Sequence, residues 1–275
     1  MKPVDFDAYF ARIGYGGRFA PTLEALREIH ALHAAAIPFE NLSAFLGEPI
    51  ALDLDSLQQK LVRGRRGGWC FEHNLLFRHV LRGMGYSVKP LAARVRWNVP
   101  PNVVTPRSHC LLRVSLDSGD YIADVGFGGQ SLTAPLRLEP DTEQATPHEP
   151  YRLRLAAEKY TLESRIAGEW LPLYVFDLQE QLQPDFEVSN WYLAHHPRSQ
   201  FVTGVIAARA AADRRHALRN TRYAEHFPDG RTERRDLGSA AEVREILEGP
   251  MQIHIPPSAD LDARLAAMVS AQGQG

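Results

Sequence analysis

Cysteine is scarce in this chain. Among 275 residues only Cys70 and Cys110 occur, too few for a disulfide scaffold and in keeping with reduced thiols. An excess of either charge is also missing. Lys plus Arg total 31 against 33 Asp plus Glu, so the chain carries no bulk electrostatic footprint for nucleic acid or an acidic membrane surface. Any anionic ligand must be met by local groups. No apolar run is long enough to span a bilayer, and Met1 to Gly17, broken by Lys2, Asp5, Asp7 and Arg12, holds no signal core. The expectation is a cytoplasmic protein without nucleic-acid or membrane partners and without a metal site. Long internal repeats and low-complexity segments beyond the Gly/Gln tail are absent as well. No coiled coil or interface stripe marks an oligomeric state, which leaves a homo-oligomer open.

What the chain does have is core-forming material: 44% of its residues are hydrophobic, enough for one large domain or two to three small ones. From Asp5 to Met84 apolar residues recur at helical spacing, as in Leu23, Leu26, Ile29, His30 and His33 and again in Leu57, Leu61 and Val62. This predicts a helical N-terminal unit over 1–84. Pro38 interrupts that unit with a bend, at which Phe39 packs or projects. After Gly85 the pattern changes to short alternating stretches at 87–97, 108–116, 121–125, 151–155, 160–166 and 170–175. These predict a small antiparallel barrel or sandwich within 85–190. Beyond Gln179 the pattern weakens, although 240–247 behind Ser239 and 261–269 behind Ser258 read as capped helices. Residues 191–275 then form a third segment packed over the other two.

The clearest chemistry lies in Arg65-Arg66-Gly67-Gly68-Trp69-Cys70-Phe71-Glu72-His73-Asn74. Two glycines permit a sharp turn, and the helical spacing from Phe71 to Met84 sets Cys70 at or near a helix N-terminus. Exposed N–H groups and the partial positive charge there favour an anion. Together with an imidazolium, such a site can bring a thiol from about 8.5 into the range of roughly 3.5–7.5. The segment points to covalent catalysis by sulfur.

A catalytic thiol needs a base, usually an imidazole oriented by a carboxylate or amide. His73 follows Cys70 by three residues. His109 is better placed, because period-two alternation sends His109, Leu111 and Arg113 to one face of a strand and Cys110, Leu112, Val114 and Leu116 to the other. Cys110 then reads as a small buried apolar side chain. Asp124 stands alone in the apolar stretch Tyr121-Ile122-Ala123-Asp124-Val125 and calls for a cation. A two-residue turn at Ser118-Gly119 would set Arg113 opposite Asp124. That register leaves His109 four residues from the position opposite Asp124, roughly 13 Å at about 3.3 Å per residue. On these residues alone Asp124 is open to either Arg113 or His109. Glu72 and Asn74 read as braces for the loop before Cys70, and Arg66 as a partner for Glu40 or Glu72. Arg63 and Arg65 add to the basic character of that loop, while Arg214, Arg215 and His216 read as a solvated surface run.

Taken together, Arg66 through Asn74, Ser108-His109-Cys110 and Ala123-Asp124-Val125-Gly126-Phe127-Gly128-Gly129 resemble the arylamine N-acetyltransferases. Ile37 through Leu42, Asn190-Trp191-Tyr192 and Ser199-Gln200-Phe201 are further marks of that family. The resemblance implies an α+β fold: an N-terminal helical bundle, a central antiparallel β-barrel and a C-terminal α/β lid around a cysteine-protease-like catalytic core. It implies Cys70, His109 and Asp124 as a catalytic triad, and so a direct His109–Asp124 contact that the simple hairpin register does not provide. The activity it implies is a ping-pong transfer of acetyl from acetyl-CoA, through S-acetyl-Cys70, to a small aromatic amine or hydrazine. Acetyl-CoA is then a substrate, with no tightly bound cofactor. Ser108, Gly126, Phe127 and Gly128 are expected along the acyl-CoA path, and Phe39 and Phe127 as walls for the acceptor. The competing readings are a Cys-His-Asp amide hydrolase or transglutaminase-like enzyme, and a non-catalytic acyl-CoA-binding protein.

Overall fold

The computed structural model of the chain describes residues 3–272. Its N-terminal part holds α1 (Phe6–Ile13) and α2 (Leu23–Ala36), started by Asp5 and Thr22 side chains that accept from the Ala8 and Ala25 amides. Such caps satisfy helix donors that have no partner within the helix. A two-residue strand β1 (Phe39–Glu40), the short helices α3 (Leu42–Leu46) and α4 (Leu54–Leu57), and a π-helical turn (Gln58–Arg63) lead to α5 (Cys70–Gly83). Helix α5 is buried almost all round: Phe71, Leu75, Leu76, Phe77, Val80 and Leu81 have no solvent exposure. A helix without a wet face belongs in the middle of a core, and this one lies between α2 and the main sheet.

That sheet contains β2 (Ser87–Val95), β3 (Arg107–Leu116), β4 (Gly119–Ala123), β5 (Leu136–Arg137), β6 (Tyr151–Ala156), β7 (Lys159–Ile166) and β8 (Glu169–Glu180). The strands are antiparallel in the order β5-β4-β3-β2-β8-β7-β6. The segment after β5 returns to β6 through the Gln144–Tyr151 bridge, which brings the two edges together into a nearly closed barrel. Period-two alternation then sorts the side chains. Leu91, Leu111 and Ile122 fill the barrel interior with Leu153, Leu162 and Tyr174, whereas Cys110, Leu112, Val114 and Ala123 pack outward with the helices. All six strands expected from alternation are present.

The β3–β4 hairpin differs from the simple expectation. Leu116 pairs with Gly119, so the two-residue turn is Asp117-Ser118 rather than Ser118-Gly119. The pairing moves with it: Arg113 faces Ile122 and ion-pairs with Asp120 instead of Asp124. Continued one step past Ala123, the register brings Asp124 across from Leu111. It is then a diagonal neighbour of His109, within the reach such pairs have across a sheet.

Helix α6 (Gln183–His195) runs through residue 190, and α7 (Gln200–Thr203) follows. A second sheet then forms from β9 (Ile206–Ala210), β10 (Arg215–Arg219), β11 (Arg222–His226) and β12 (Thr232–Asp236), with β1 as its other edge. One face of this sheet, with Ala207, Leu218 and Tyr223, packs on α8 (Ala240–Glu248) and α9 (Ala259–Gln272). Its other face turns toward Cys70. Asn41 fastens this unit to the N-terminal part by donating to the Phe201 and Gly204 carbonyls and accepting from the Ile206 amide.

Candidate active site

Cys70 is the first residue of α5, and its loop is held from several sides. Glu72 accepts from the Trp69 amide at 3.1 Å and pairs with Lys60 at 2.7 Å. Arg66 pairs with the fully buried Glu40, one of the two partners expected for it. The Trp69 indole N–H donates to Asn190, a contact between the residue that precedes α5 and helix α6 that the sequence pattern alone does not reveal. Gly67 is required by close approach, since a Cβ there would lie 2.1 Å from the Pro38 carbonyl oxygen.

The barrel brings the other two residues. His109 Nε2 lies 2.7 Å from Asp124 Oδ2, and the Cys70 thiol donates to the Ser108 carbonyl at 3.7 Å, beside the His109 ring. Burial alone would push His109 down. The Asp124 charge and hydrogen bond, with a further contribution from Cys70, outweigh it and raise His109 to about 10. Burial would likewise raise Asp124, but the imidazolium and its hydrogen-bond donors hold it below the usual carboxylate range. The pair is therefore charged. Four groups fix the carboxylate segment: His109, the Asn74 amide at 2.9 Å, the Gly126 amide at 3.0 Å, and His30, whose Nε2 accepts from the Asp124 amide at 3.2 Å. Because an amide N–H can only donate, His30 must be the tautomer with its proton on Nδ1. Asn74 thus braces Asp124 rather than the loop before Cys70.

His73 has a different set of partners. The Pro38 carbonyl can only accept, so His73 Nε2 donates to it at 3.0 Å, leaving Nδ1 to accept from His33 Nε2 at 3.0 Å. His33 Nδ1 in turn accepts from the Tyr9 hydroxyl at 2.7 Å. The chain runs one way through two neutral imidazoles. Burial pushes His73 down to about 4, against the carbonyl contacts, and pushes His33 well below its ordinary value.

Cys70, Ser108, His109, Gly126, Phe127, Gly128 and Phe39 all border one cavity of about 960 Å³ between the barrel and the second sheet. Asp124 lies behind it, fully buried. Phe127 meets His109 edge to face at 5.0 Å. Gly126 packs directly behind the cysteine, where a Cβ would stand 2.8 Å from the Cys70 Cα. Arg215 and His216, expected in solvent, are buried: Arg215 pairs with Glu149 and donates to the Gly129 and Ser131 carbonyls behind the glycine loop. Charge density in the sequence could not distinguish such an internal strut from a surface run. Cys110 is buried on the opposite face of its strand from His109, as alternation requires.

This geometry has close counterparts. The N-acetyltransferase family model matches residues 22–259. The arylamine N-acetyltransferase of Mycolicibacterium smegmatis is 42% identical over 272 residues, covering 97% of this chain and 98% of that one. The arylamine N-acetyltransferase / N-hydroxyarylamine O-acetyltransferase of Salmonella typhimurium is 44% identical over 206 residues, 75% of this chain and 73% of its own. Among solved structures, Mycobacterium marinum arylamine N-acetyltransferase in complex with CoA superposes with a TM-score of 0.93 at 40% identity, covering 96% of this chain and 99% of that one. With a family match across most of the chain and relatives above 40% identity, the chain belongs to the arylamine N-acetyltransferase family.

Proposed function

We propose that this enzyme carries acetyl from acetyl-CoA to an arylamine or arylhydrazine through an S-acetyl intermediate on Cys70, by a ping-pong mechanism. The supporting observation is the buried Cys70–His109–Asp124 arrangement opening onto a cavity walled by Phe39 and Phe127. The Cys70 sulfur attacks the thioester carbonyl as a thiolate beside the His109 imidazolium. Asp124 keeps the imidazole in the orientation that presents Nδ1 to the sulfur and stabilises its positive charge. Collapse of the tetrahedral intermediate expels CoA, which receives its proton from His109. The acceptor nitrogen then attacks the S-acetyl carbon and gives up a proton to the same imidazole as Cys70 departs as a thiolate, restoring the imidazolium–thiolate pair.

Exchange of one thioester for another is nearly isoenergetic, so the catalytic task is positioning and stabilisation of the oxyanion. The Cys70 backbone N–H, at the start of α5, is one donor for that oxyanion. Phe39 and Phe127 receive the acceptor ring, whose face and edge suit offset or perpendicular packing. Initial rates measured over a grid of acetyl-CoA and arylamine concentrations test the order of events. Parallel double-reciprocal lines are expected; intersecting lines, which require both substrates bound together, would contradict the shuttle.

A further inference from the structure

Strand β4 ends at Ala123, and the next three backbone amides leave the barrel ladder while still buried. A buried amide without an acceptor is costly, and here each is met by a side chain. The Gly126 amide donates to the Asp124 carboxylate and the Val125 amide to Asn74 Oδ1 at 3.1 Å. The Asp124 amide donates to His30 Nε2, 94 positions away on α2. His30 is fully buried, shares the inner face of α2 with Leu26, Ile29 and His33, and stands edge-on to Phe77 with ring centres 5.7 Å apart. Its Nδ1–H faces only its own backbone carbonyl, outside hydrogen-bond geometry. A leucine would pack at this position without burying such an N–H. What the imidazole adds is one acceptor. Burial keeps the ring neutral, pushed down to about 4 against the attraction of Asp124, with His33 the other ionisable group beside it.

We propose that His30 is a positioning residue for acetyl transfer: by accepting from the Asp124 amide, it holds the backbone at the point from which the carboxylate reaches His109. This rests on the roles proposed above for Cys70, His109 and Asp124. The barrel does not fix that point by itself. The last paired residue of β4 is Ala123, opposite Leu112, so Asp124 lies one step beyond the ladder and reaches His109 diagonally. A diagonal contact depends on where its backbone sits, and the 2.7 Å separation of Asp124 Oδ2 and His109 Nε2 leaves little slack. The Asn74 side chain and the Gly126 amide both act on Oδ1, which leaves His30 as the group that holds the main-chain amide. Without that acceptor the amide must turn toward another. A misplacement of about 1 Å in a catalytic constellation costs on the order of a hundredfold in rate.

The test reads the pH profile of Cys70 alkylation by iodoacetamide together with arylamine turnover. In His30→Leu, which packs but cannot accept, turnover should fall about ten- to a hundredfold on that scale. The pH at which alkylation reaches half its plateau should rise by about one unit, a tenfold loss of rate on the acid side, because a displaced Asp124 supports the imidazolium–thiolate pair less well. His30→Gln, whose Oε1 can accept in place of Nε2, should restore both readouts to within about threefold. Ile29→Val, a neighbouring core truncation, is the control: it should lower the melting temperature and leave profile and turnover unchanged. A His30→Leu protein that loses stability yet keeps the wild-type profile and turnover would overturn the assignment, as would an impaired His30→Leu that His30→Gln does not rescue. Where His30→Leu does not fold, ring 15N spectra of the wild type decide: an unprotonated His30 Nε2 at neutral pH is expected, and a protonated one would overturn the proposal. A wild-type Cys70 that alkylates as an ordinary thiol, with its midpoint at about pH 8.5, would instead overturn the proposed roles of Cys70 and His109.

Discussion

Two buried histidines flank the cysteine segment of this protein, and their surroundings are opposite in sign. His73 lies one helical turn from Cys70, yet its nitrogens are committed to the Pro38 carbonyl and to His33, within a neutral chain that ends at Tyr9. His109 comes from a different unit and spends Nε2 on a buried carboxylate. Both rings are desolvated. Desolvation, acting against the carbonyl contacts, drives His73 to about 4, whereas the added charge of Asp124 reverses the balance and holds His109 near 10. What distinguishes the imidazole proposed to carry protons from a structural one here is the group on its far nitrogen, rather than its distance along the chain from Cys70.

The sharpest way to break this contrast is to remove the charge and keep the shape. Asp124→Asn should lower turnover about 10³- to 10⁴-fold, the scale seen when a triad carboxylate becomes an amide; a loss below tenfold would disconnect Asp124 from His109. A smaller effect is expected on the nucleophile alone. His109→Ala should slow iodoacetamide alkylation of Cys70 at about pH 6 by tenfold or more, while His73→Leu should leave that rate within about twofold. Equal slowing by both variants would erase the distinction between the two rings.

Stability against pH separates them again. The folded values of His30 and His73 are about 4, below their ordinary 6.5, so unfolding takes up protons as the solution is acidified. Their contribution is complete above pH 6.5 and is lost as pH falls through about 4, on the order of 3 kcal/mol for each. His109 has the other sign: its folded value is raised, so its contribution is complete below 6.5 and is lost as pH rises through about 10. Urea unfolding midpoints across this range should fall toward both ends, and His109→Ala should flatten only the alkaline limb. The smallest effect belongs to the end of the neutral chain. Tyr9→Phe, which leaves His33 Nδ1 without its donor, should cost about 1 kcal/mol by thermal unfolding with activity retained.

How much of this could be read from residues varied along the chain. Helix α5 and strands β2, β3, β4, β6, β7 and β8 were legible because one or both faces carry a strong apolar period. The second sheet was not. Its strands read Ile-Ala-Ala-Arg-Ala, Arg-His-Ala-Leu-Arg, Arg-Tyr-Ala-Glu-His and Thr-Glu-Arg-Arg-Asp, in which alanine and charge hide the period, because one face lines a cavity instead of a core. The approach of His109 to Asp124 escaped spacing arithmetic for a different reason. Moving the turn by one residue shifts every cross-strand partner by two, and a Ser-Gly pair is a plausible turn that the chain does not use. Family likeness supplied the contact before any register could. The partners of Asn74, His30 and Asn190 were not legible locally, since each acts on a residue at least fifty positions away.

Everything proposed for the site converges on a sulfur that holds an acetyl group between two half-reactions. Intact mass spectrometry of the reduced protein mixed with acetyl-CoA alone reads that state directly. The expected result is a single gain of about 42 Da, mapped to Cys70 and discharged on adding an arylamine; active, reduced protein that shows no adduct, or carries it on another residue, would contradict the account.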